Sequence, residues 1–410
     1  MKLRQTQRIL FLYGYSKSEW KRYAEAAGSG NKGGGKGGGR HETEKRHQVC
    51  KRRIAEIKGA GKAAGGTKPK SGIRYANGGF THAVPAKICL PIRCYNPSET
   101  DDTKKEHLMN TPQSAIIPDH AQAGIFIEAD FAANRLNDIK AACRASLDAL
   151  TALKARFPDD ILGLTIAFGS KAWATFGHTD EGSEIKPFSE MGNGLAPSTQ
   201  HDMSIHIQSF RQNAAYALAQ SVLGAFGDSI CVASEEHGLR LYQDRGLDGF
   251  VDGTENPQGD ENVREVAIIP EGKPDAGGSY VLLQKYLHDL KKWDAVPVAE
   301  QEASVGRGKE TDDEFGRDVR LPDSHLGRVN LKENGVGLKI VRRSLPFGKI
   351  SGEHGLMFTA YCRTLHNIEA QLLSMFGDTD GKTDLLLRHL SAAVSGGYYY
   401  APSVERLQNL

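Results

Sequence analysis

Residues 124–168 read GIFIEADFAANRLNDIKAACRASLDALTALKARFPDDILGLTIAF, and the periodicity of this stretch decides the fold. Ile125, Ile127 and Ala129 alternate with Phe126 and Glu128, the two-residue repeat of a strand. Leu136, Ile139, Ala142, Cys143, Ser146, Leu150 and Leu153 then recur at helical spacing until Pro158 ends the run. Residues 162–168 and 203–210 predict two further strands, 214–226 a second helix and 230–232 a short fourth strand. That order, β-α-β-β-α-β, is the ferredoxin-like one. The second half repeats it with longer insertions. There, 281–284, 338–342, 356–361 and 397–400 predict strands, and Val298–Val305 and Leu365–Phe376 predict helices. The expected class is α+β, with two tandem ferredoxin-like domains at 119–240 and 241–410. Two such layers in tandem leave a cleft between sheets and helices wide enough for a cofactor.

Composition sets the frame around that pattern. The chain has 410 residues, 39% of them hydrophobic, which suits two or three folding units at about 150 residues each. The longest apolar run near the start, ILFLY at 9–13, falls far short of the ~18 to 20 residues that span a bilayer, so no membrane role is expected. Six widely scattered cysteines do not read as a disulfide framework and predict a cytoplasmic protein. The net charge of +2 conceals an asymmetry: residues 1–108 hold 23 Lys and Arg against 9 Asp and Glu, while the remainder holds 29 against 41. A body at −12 repels phosphate, so no nucleic-acid partner is expected.

The basic segment 1–108 contains KGGGKGGGR, KRR and KAAGGTKPKSG and reads as a Gly-rich, disordered extension, dispensable for activity. Residues 30–36 imitate a phosphate-loop spacing, yet Gly37 stands where a Ser or Thr is required. His47, Cys50, Cys89 and Cys94 offer one C-x4-C pair with irregular partners, a poor zinc set. Glu19, Glu25, Glu42 and Glu44 argue against an organelle presequence. The reading favoured is upstream sequence translated in frame, because the first methionine after Met1 is Met109.

Three segments of the body carry candidate chemistry. GFVDGTENP, 249–257, is a turn by its Asp-Gly and Asn-Pro pairs, or a close backbone approach to a flat ligand with Asp252 as a proton carrier. DSHLGRVNL, 323–331, contains His325, which composition alone does not separate from His288 or His354. LKIVRRSLPFG, 338–348, places Arg342 and Ser344 on one strand face and Arg343 on the other, so one arginine faces inward and needs a carboxylate. Other groups are read as structural. His201 and His206 fall on opposite faces of a strand, Tyr398, Tyr399 and Tyr400 suit sheet packing, and Cys362 suits a core.

Five segments in order, GFVDGTENP, SHLGRV, GLKIVRRSLPFG, FGDTDGKTD and GGYYYAPS, resemble the dye-decolorizing peroxidases, in particular the bacterial B-type subfamily, over about residues 119–410. The resemblance implies a fold of the dimeric α+β barrel type, with a haem b pocket in the second ferredoxin-like domain. It also implies His325 as the proximal ligand of the haem iron, Asp252 and Arg342 on the distal face with Ser344 beside the arginine, and Arg307 in SVGRGK near a haem propionate. The carboxylate behind the histidine would follow the GDTDG segment, with Asp384 ahead of Asp380 and Asp378. The implied activity is reduction of hydrogen peroxide at the expense of a small-molecule electron donor, in a homo-oligomer. Iron release from haem, and haem binding or delivery without turnover, are the alternatives. The chemistry agrees with these roles: peroxide must lose a proton from its inner oxygen and gain one on its outer oxygen before the O–O bond breaks, work for a positioned carboxylate. A guanidinium that never deprotonates stabilises the negative charge that develops, and a carboxylate on the second ring nitrogen makes a histidine ligand more basic.

Overall fold

The computed structural model describes residues 110–410, so the readings of the basic extension, its phosphate-loop spacing and its cysteine set lie outside the described residues. The first half runs β1 (Ala123–Phe131), α1 (Leu136–Arg156), β2 (Gly163–Phe168), α2 (Ser170–Ala174), β3 (Met203–Ser209), α3 (Gln212–Phe226) and β4 (Ile230–Leu239). The second begins α4 (Asp260–Ala267), β5 (Ser279–His288), α5 (Leu290–Ala295), α6 (Val298–Val305), α7 (His325–Val329), β6 (Lys332–Glu333), β7 (Val336–Gly337), β8 (Val341–Arg342) and β9 (Leu345–Gly348). It closes with β10 (His354–Cys362), α8 (Leu365–Phe376), α9 (Leu385–His389), β11 (Ser391–Ala393), β12 (Gly397–Ala401) and α10 (Val404–Gln408).

Strand pairing gives β2-β3-β1-β4 in the first half and β12-β5-β10-β9 in the second, the same antiparallel order twice. The halves join at both edges, Tyr400 opposite Phe168 and Gly238 opposite Phe347, and close eight strands into a ring. Closure removes the unpaired edges that either sheet would present alone. The α+β class with ferredoxin-like strand order is therefore observed.

Alternation in β1 sorts its side chains as the sequence predicts. Ile125, Ile127 and Ala129 pack outward under α1 and α3 with Ile139, Leu147, Leu218 and Val222. Phe126 faces the ring interior with Val281, Leu283, Met357, Tyr361 and Tyr399. Several strands differ in length from expectation, β5 at Ser279–His288 rather than 281–284 among them. β4 has ten residues rather than three, because its charged stretch is paired as well: Glu236 accepts from Lys285 Nζ at 2.6 Å. Of 338–342 only Val341 and Arg342 are strand.

β8 and β9 are one strand interrupted at Arg343 and Ser344. Arg343 N donates to Thr359 O at 3.0 Å, and Thr359 N donates to Ser344 Oγ at 3.1 Å, a side chain standing in for a backbone carbonyl. The interruption separates the two arginines as expected, and each faces a different interior. Arg342 enters the cavity described below. Arg343 is buried, donates to the carbonyls of Ile116 (3.1 Å) and Ile117 (2.7 Å), and pairs with Asp119 at 3.1 Å. Losing a buried cation with three acceptors costs on the order of 3 kcal/mol, whereas a partly exposed pair contributes below about 1 kcal/mol. Arg343→Ala is expected to lower unfolding stability by the former amount and Arg342→Leu by less than the latter, as read by denaturant titration of both variants.

Candidate functional site

A cavity of about 500 Å³ opens between α7, α8, α9 and the strand carrying Arg342. Its walls are apolar, with Val305, Leu326, Ile340, Phe358, Leu372 and Met375 among them.

His325 enters this cavity because α7 is anchored on every other side. Ser324 caps it, accepting from Gly327 N at 3.2 Å and donating to Leu321 O at 2.7 Å. At Gly327 a Cβ would lie 2.5 Å from Leu321 O and 2.8 Å from Pro322 O, so the turn closes only around glycine. Arg328, buried one turn on, donates to Asp380 (2.8 and 3.0 Å), Ser374 O (2.8 Å) and Thr379 (3.1 Å), tying α7 to the end of α8. The Arg328 hydrogen bonds hold the Asp380 carboxyl below its usual range. Asp378 accepts from Gly192 N at 2.9 Å. Of the three expected carboxylates, Asp384 is the one at the histidine: its Oδ2 lies 2.7 Å from His325 Nδ1. Asp384 is wholly buried, caps α9 by accepting from Leu386 N at 2.8 Å, and donates its own N–H to Met375 O. A carboxylate so placed requires the donor tautomer at Nδ1, which leaves the Nε2 lone pair free to bind a metal ion. Among the described residues, nothing hydrogen-bonds to Nε2.

The loop 245–256 supplies the acids. Arg245 bridges to Val251, Asp252 N donates to Asp244 O at 2.8 Å, and Gly249 and Gly253 adopt φ of +87° and +91°, the left-handed region. Asn256 takes both backbone groups of Arg342, N at 2.9 Å and O at 3.0 Å, so the loop and β8 are locked together. Asp252 Oδ1 and Arg342 Nη1 lie 3.7 Å apart, an ion pair without a short hydrogen bond, each partly open to the cavity.

Ser344 reaches the same cavity wall as Arg342, and its hydroxyl is hydrogen-bonded to the backbone of Thr359. Arg307 lines the cavity edge, buried, between Glu255 and Asp312. The sequence reading named His288 without assigning it to the site and passed over Asp248. Asp248, in the first of the two Asp-Gly pairs of GLDGFVDG, lines the same cavity, and burial pushes its carboxyl up to about 6. The repeat of Asp-Gly four residues on was the available signal. His288, at the end of β5, also lines it; burial pushes its imidazole down to about 4, and Ser391 Oγ lies 3.1 Å from its Nδ1.

The side chains read as structural are so placed. His201 precedes β3 and pairs with Asp130 at 3.1 Å. His206 stacks on Phe126 inside the ring at 4.8 Å, with Nδ1 2.8 Å from the Tyr361 hydroxyl. Tyr398, Tyr399 and Tyr400 are fully buried, and Cys362 is buried with its thiol pushed up to about 11. No cluster of three or more His, Cys, Asp or Glu that could hold a metal ion exists among the described residues.

Comparison with known proteins agrees with this geometry. Residues 113–240 match the model of the Dyp-type peroxidase N-terminal domain and 243–406 that of the C-terminal domain. A dye-decolorizing peroxidase of Mycobacterium tuberculosis is 34% identical over 304 residues, 73% of this chain and 90% of that protein. A dye-decolorizing protein from Vibrio cholerae superposes with a TM-score of 0.69 at 38% identity, covering 72% of this chain and 99% of the other. A DypB variant from Rhodococcus jostii, solved in complex with haem, gives 0.68 at 30% identity over 73% and 98%. Likeness to the deferrochelatase of Escherichia coli is more limited, 27% identity over 38% of this chain and 42% of that one.

The Asp384 contact yields its own test. Asp384→Asn keeps an oxygen for the α9 cap but replaces the anionic acceptor of the His325 N–H, a charge-assisted hydrogen bond of about 1.5 to 3 kcal/mol. Histidine ¹⁵N spectra of the cofactor-free protein are expected to show one His325 tautomer in the wild type and a mixture in the variant.

Proposed function

The chain belongs to the Dyp-type peroxidase family and is a haem peroxidase that reduces hydrogen peroxide while oxidising an organic donor, and we propose that His325 holds the iron while Asp252 and Arg342 act on peroxide. The cavity suits haem by its chemistry. Its apolar walls accept a macrocycle, His325 presents Nε2 with Nδ1 locked by Asp384, and Arg307, paired with Glu255 and Asp312, stands at the cavity edge as the candidate for a haem propionate. Bound there, haem would supply the redox chemistry by which peroxide is reduced and the donor oxidised.

The residues of the chain do the rest. Asp252 takes the proton of the inner peroxide oxygen and delivers it to the outer one, which departs as water. Arg342 meets the negative charge that develops on the oxygens, and Asn256 fixes its backbone in advance, so no reorganisation is needed. The 3.7 Å separation pairs the two side chains yet leaves the Asp252 oxygens free for proton work. Asp384 keeps the Nδ1 proton and fixes the orientation of the His325 ring. Ser344 holds the strand interruption that aims Arg342 into the cavity.

The observation that carries this reading is Asp252 and Arg342 side by side in the cavity that His325 enters. Iron release, or haem binding and delivery, needs the histidine alone and gains nothing from a carboxylate beside a fixed guanidinium. The reading extends to the B-type subfamily, supported by the Rhodococcus DypB likeness. It extends also to a cytoplasmic location, supported by the free thiols of Cys143, Cys231 and Cys362, and to a homo-oligomer, supported by the exposed apolar side chains Val232 and Leu239 at the ends of β4. Haem-binding and proton-handling residues all lie after residue 240, which favours a division into 119–240 and 241–410.

Haem titration and stopped-flow mixing with peroxide test the assignment. His325→Ala is expected to lose haem or hold it weakly, and full haem content with an unchanged Soret band would remove His325 as the ligand. Arg342→Leu is expected to slow the peroxide step more than tenfold, since one preorganised donor contributes on the order of 3 kcal/mol to a transition state. Asp252→Asn is expected to slow it less.

A further inference from the structure

The overall reaction consumes protons that transfer between the peroxide oxygens does not supply. Hydrogen peroxide, two electrons and two protons give two waters; the donor supplies the electrons, and the single proton that Asp252 moves between the peroxide oxygens adds nothing to the balance. Protons bound for the oxygens enter either through a reloaded Asp252 or through a second acid on the cavity wall.

Asp248 is the remaining acid of the same loop, four residues before Asp252 and on the wall of the same cavity. Its position is fixed from three sides. Trp293 Nε1 donates to its carbonyl at 2.9 Å, Phe250 N donates to its Oδ1 at 3.0 Å, and Arg245 Nη1 donates to the carbonyls of Gly249 (2.7 Å) and Lys309 (2.6 Å), closing the loop beneath it. Its Oδ2 has no hydrogen-bond partner among the described residues. The two acids of this loop have unlike surroundings. Asp252 faces a guanidinium. The Asp248 carboxyl accepts from the Phe250 N–H, and no cation lies within ion-pair distance of it among the described residues. Paired titratable groups whose environments pull them apart divide acid and base duties between them.

We infer that Asp248 is the proton reservoir of the cavity, an acid that delivers the protons consumed in peroxide reduction and reloads from solvent, while Asp252 moves the proton between the two peroxide oxygens. This rests on the reading of the cavity as the haem pocket. Charged and titratable groups facing Asp248 are Asp252 on its own loop, Lys309 on the segment after α6 and His325 on α7. Burial raises its carboxyl to about 6, Asp252 adds to the rise, and Lys309 and His325 oppose it. An acid of that strength is half protonated near pH 6, where it can both give and regain a proton. Lys309 is engaged elsewhere, with Nζ held by Gln301 Oε1 and lying 5.4 Å from the centre of the Phe250 ring.

The test is the pH profile of steady-state donor oxidation by the haem-loaded protein, together with an infrared titration of its carboxyl groups. Since the acid form delivers the proton, wild-type turnover is expected to fall as pH rises through about 6, and a protonated-carboxyl band should vanish over the same range. Asp248→Asn, which keeps the acceptor for Phe250 N, is expected to lose that band and the pH-dependent limb, with turnover at pH 5 lowered about tenfold. Asp248→Glu is expected to restore both with a shifted midpoint, and it decides the matter if the Asn variant does not fold. A limb and band that persist unchanged in Asp248→Asn, or that keep the wild-type midpoint in Asp248→Glu, overturn the inference. Wild-type peroxide rates in Arg342→Leu and Asp252→Asn would instead remove those residues from the peroxide step and leave the Asp248 titration standing, so the two failures are distinguishable.

Discussion

A carboxylate with no exposed surface persists only if donors replace its water, and Asp384 has two: the His325 ring at 2.7 Å and the Leu386 N–H at 2.8 Å. Everything around the cavity is arranged to keep that contact. The Leu386 bond starts α9 at the right residue, and the Asp384 N–H to Met375 carbonyl bond ties that start to α8. Arg328 binds α7 to that same end of α8 through Ser374 and to the loop beyond it through Asp380. His325 is thus aimed by three short elements, none of which would be a stable helix in isolation. Aspartate also sets the tautomer, and so decides which ring nitrogen a metal ion can meet.

The second constraint is the closed ring of strands. One strand, broken at Arg343 and Ser344, serves two interiors: Arg343 ties the segment at Ile116, Ile117 and Asp119 to the ring, and Arg342 enters the cavity. Rigidity at Arg342 therefore derives from the barrel on one side and from Asn256 on the other. A guanidinium held by the fold, rather than by a long loop, is already oriented when charge develops near it. The loop that carries Asn256 also carries Asp248 and Asp252, so the acids and the cation are brought into register by a single pair of backbone hydrogen bonds.

Two amphipathic helices of the second half were legible in the sequence to the residue. Val298–Val305 and Leu365–Phe376 have the expected bounds, each ended by a glycine in the left-handed conformation. β4 was under-read because Glu235, Glu236 and His237 carry no apolar alternation, and only the tertiary partner Lys285 makes Glu236 an interior residue. The joining of the two halves left no local trace, since each junction is a single register pair between strands far apart in the chain. Asp252 and Arg342 stood out from their turn and strand settings, the resemblance of five ordered motifs pointed to roles for them and for His325 and Asp384, and period two alone separated Arg342 from Arg343. Spacing placed Ser344 on the cavity face, where it is, but did not reveal that its hydroxyl also completes a strand ladder. Asp248 was overlooked because Asp-Gly reads as a turn, which it is; its burial beside Trp293 comes from α5, forty-five residues away.

The central claim is that Asp384 acts on the iron through His325, and resonance Raman spectroscopy of the reduced, haem-loaded protein tests it most directly. A carboxylate accepting from Nδ1 gives the ring more anionic character and strengthens its bond to the metal. The account predicts an iron–nitrogen stretching band that shifts on ¹⁵N-histidine labelling and moves to lower frequency in Asp384→Asn. A band insensitive to histidine labelling, or one at the same frequency in the variant, would contradict it.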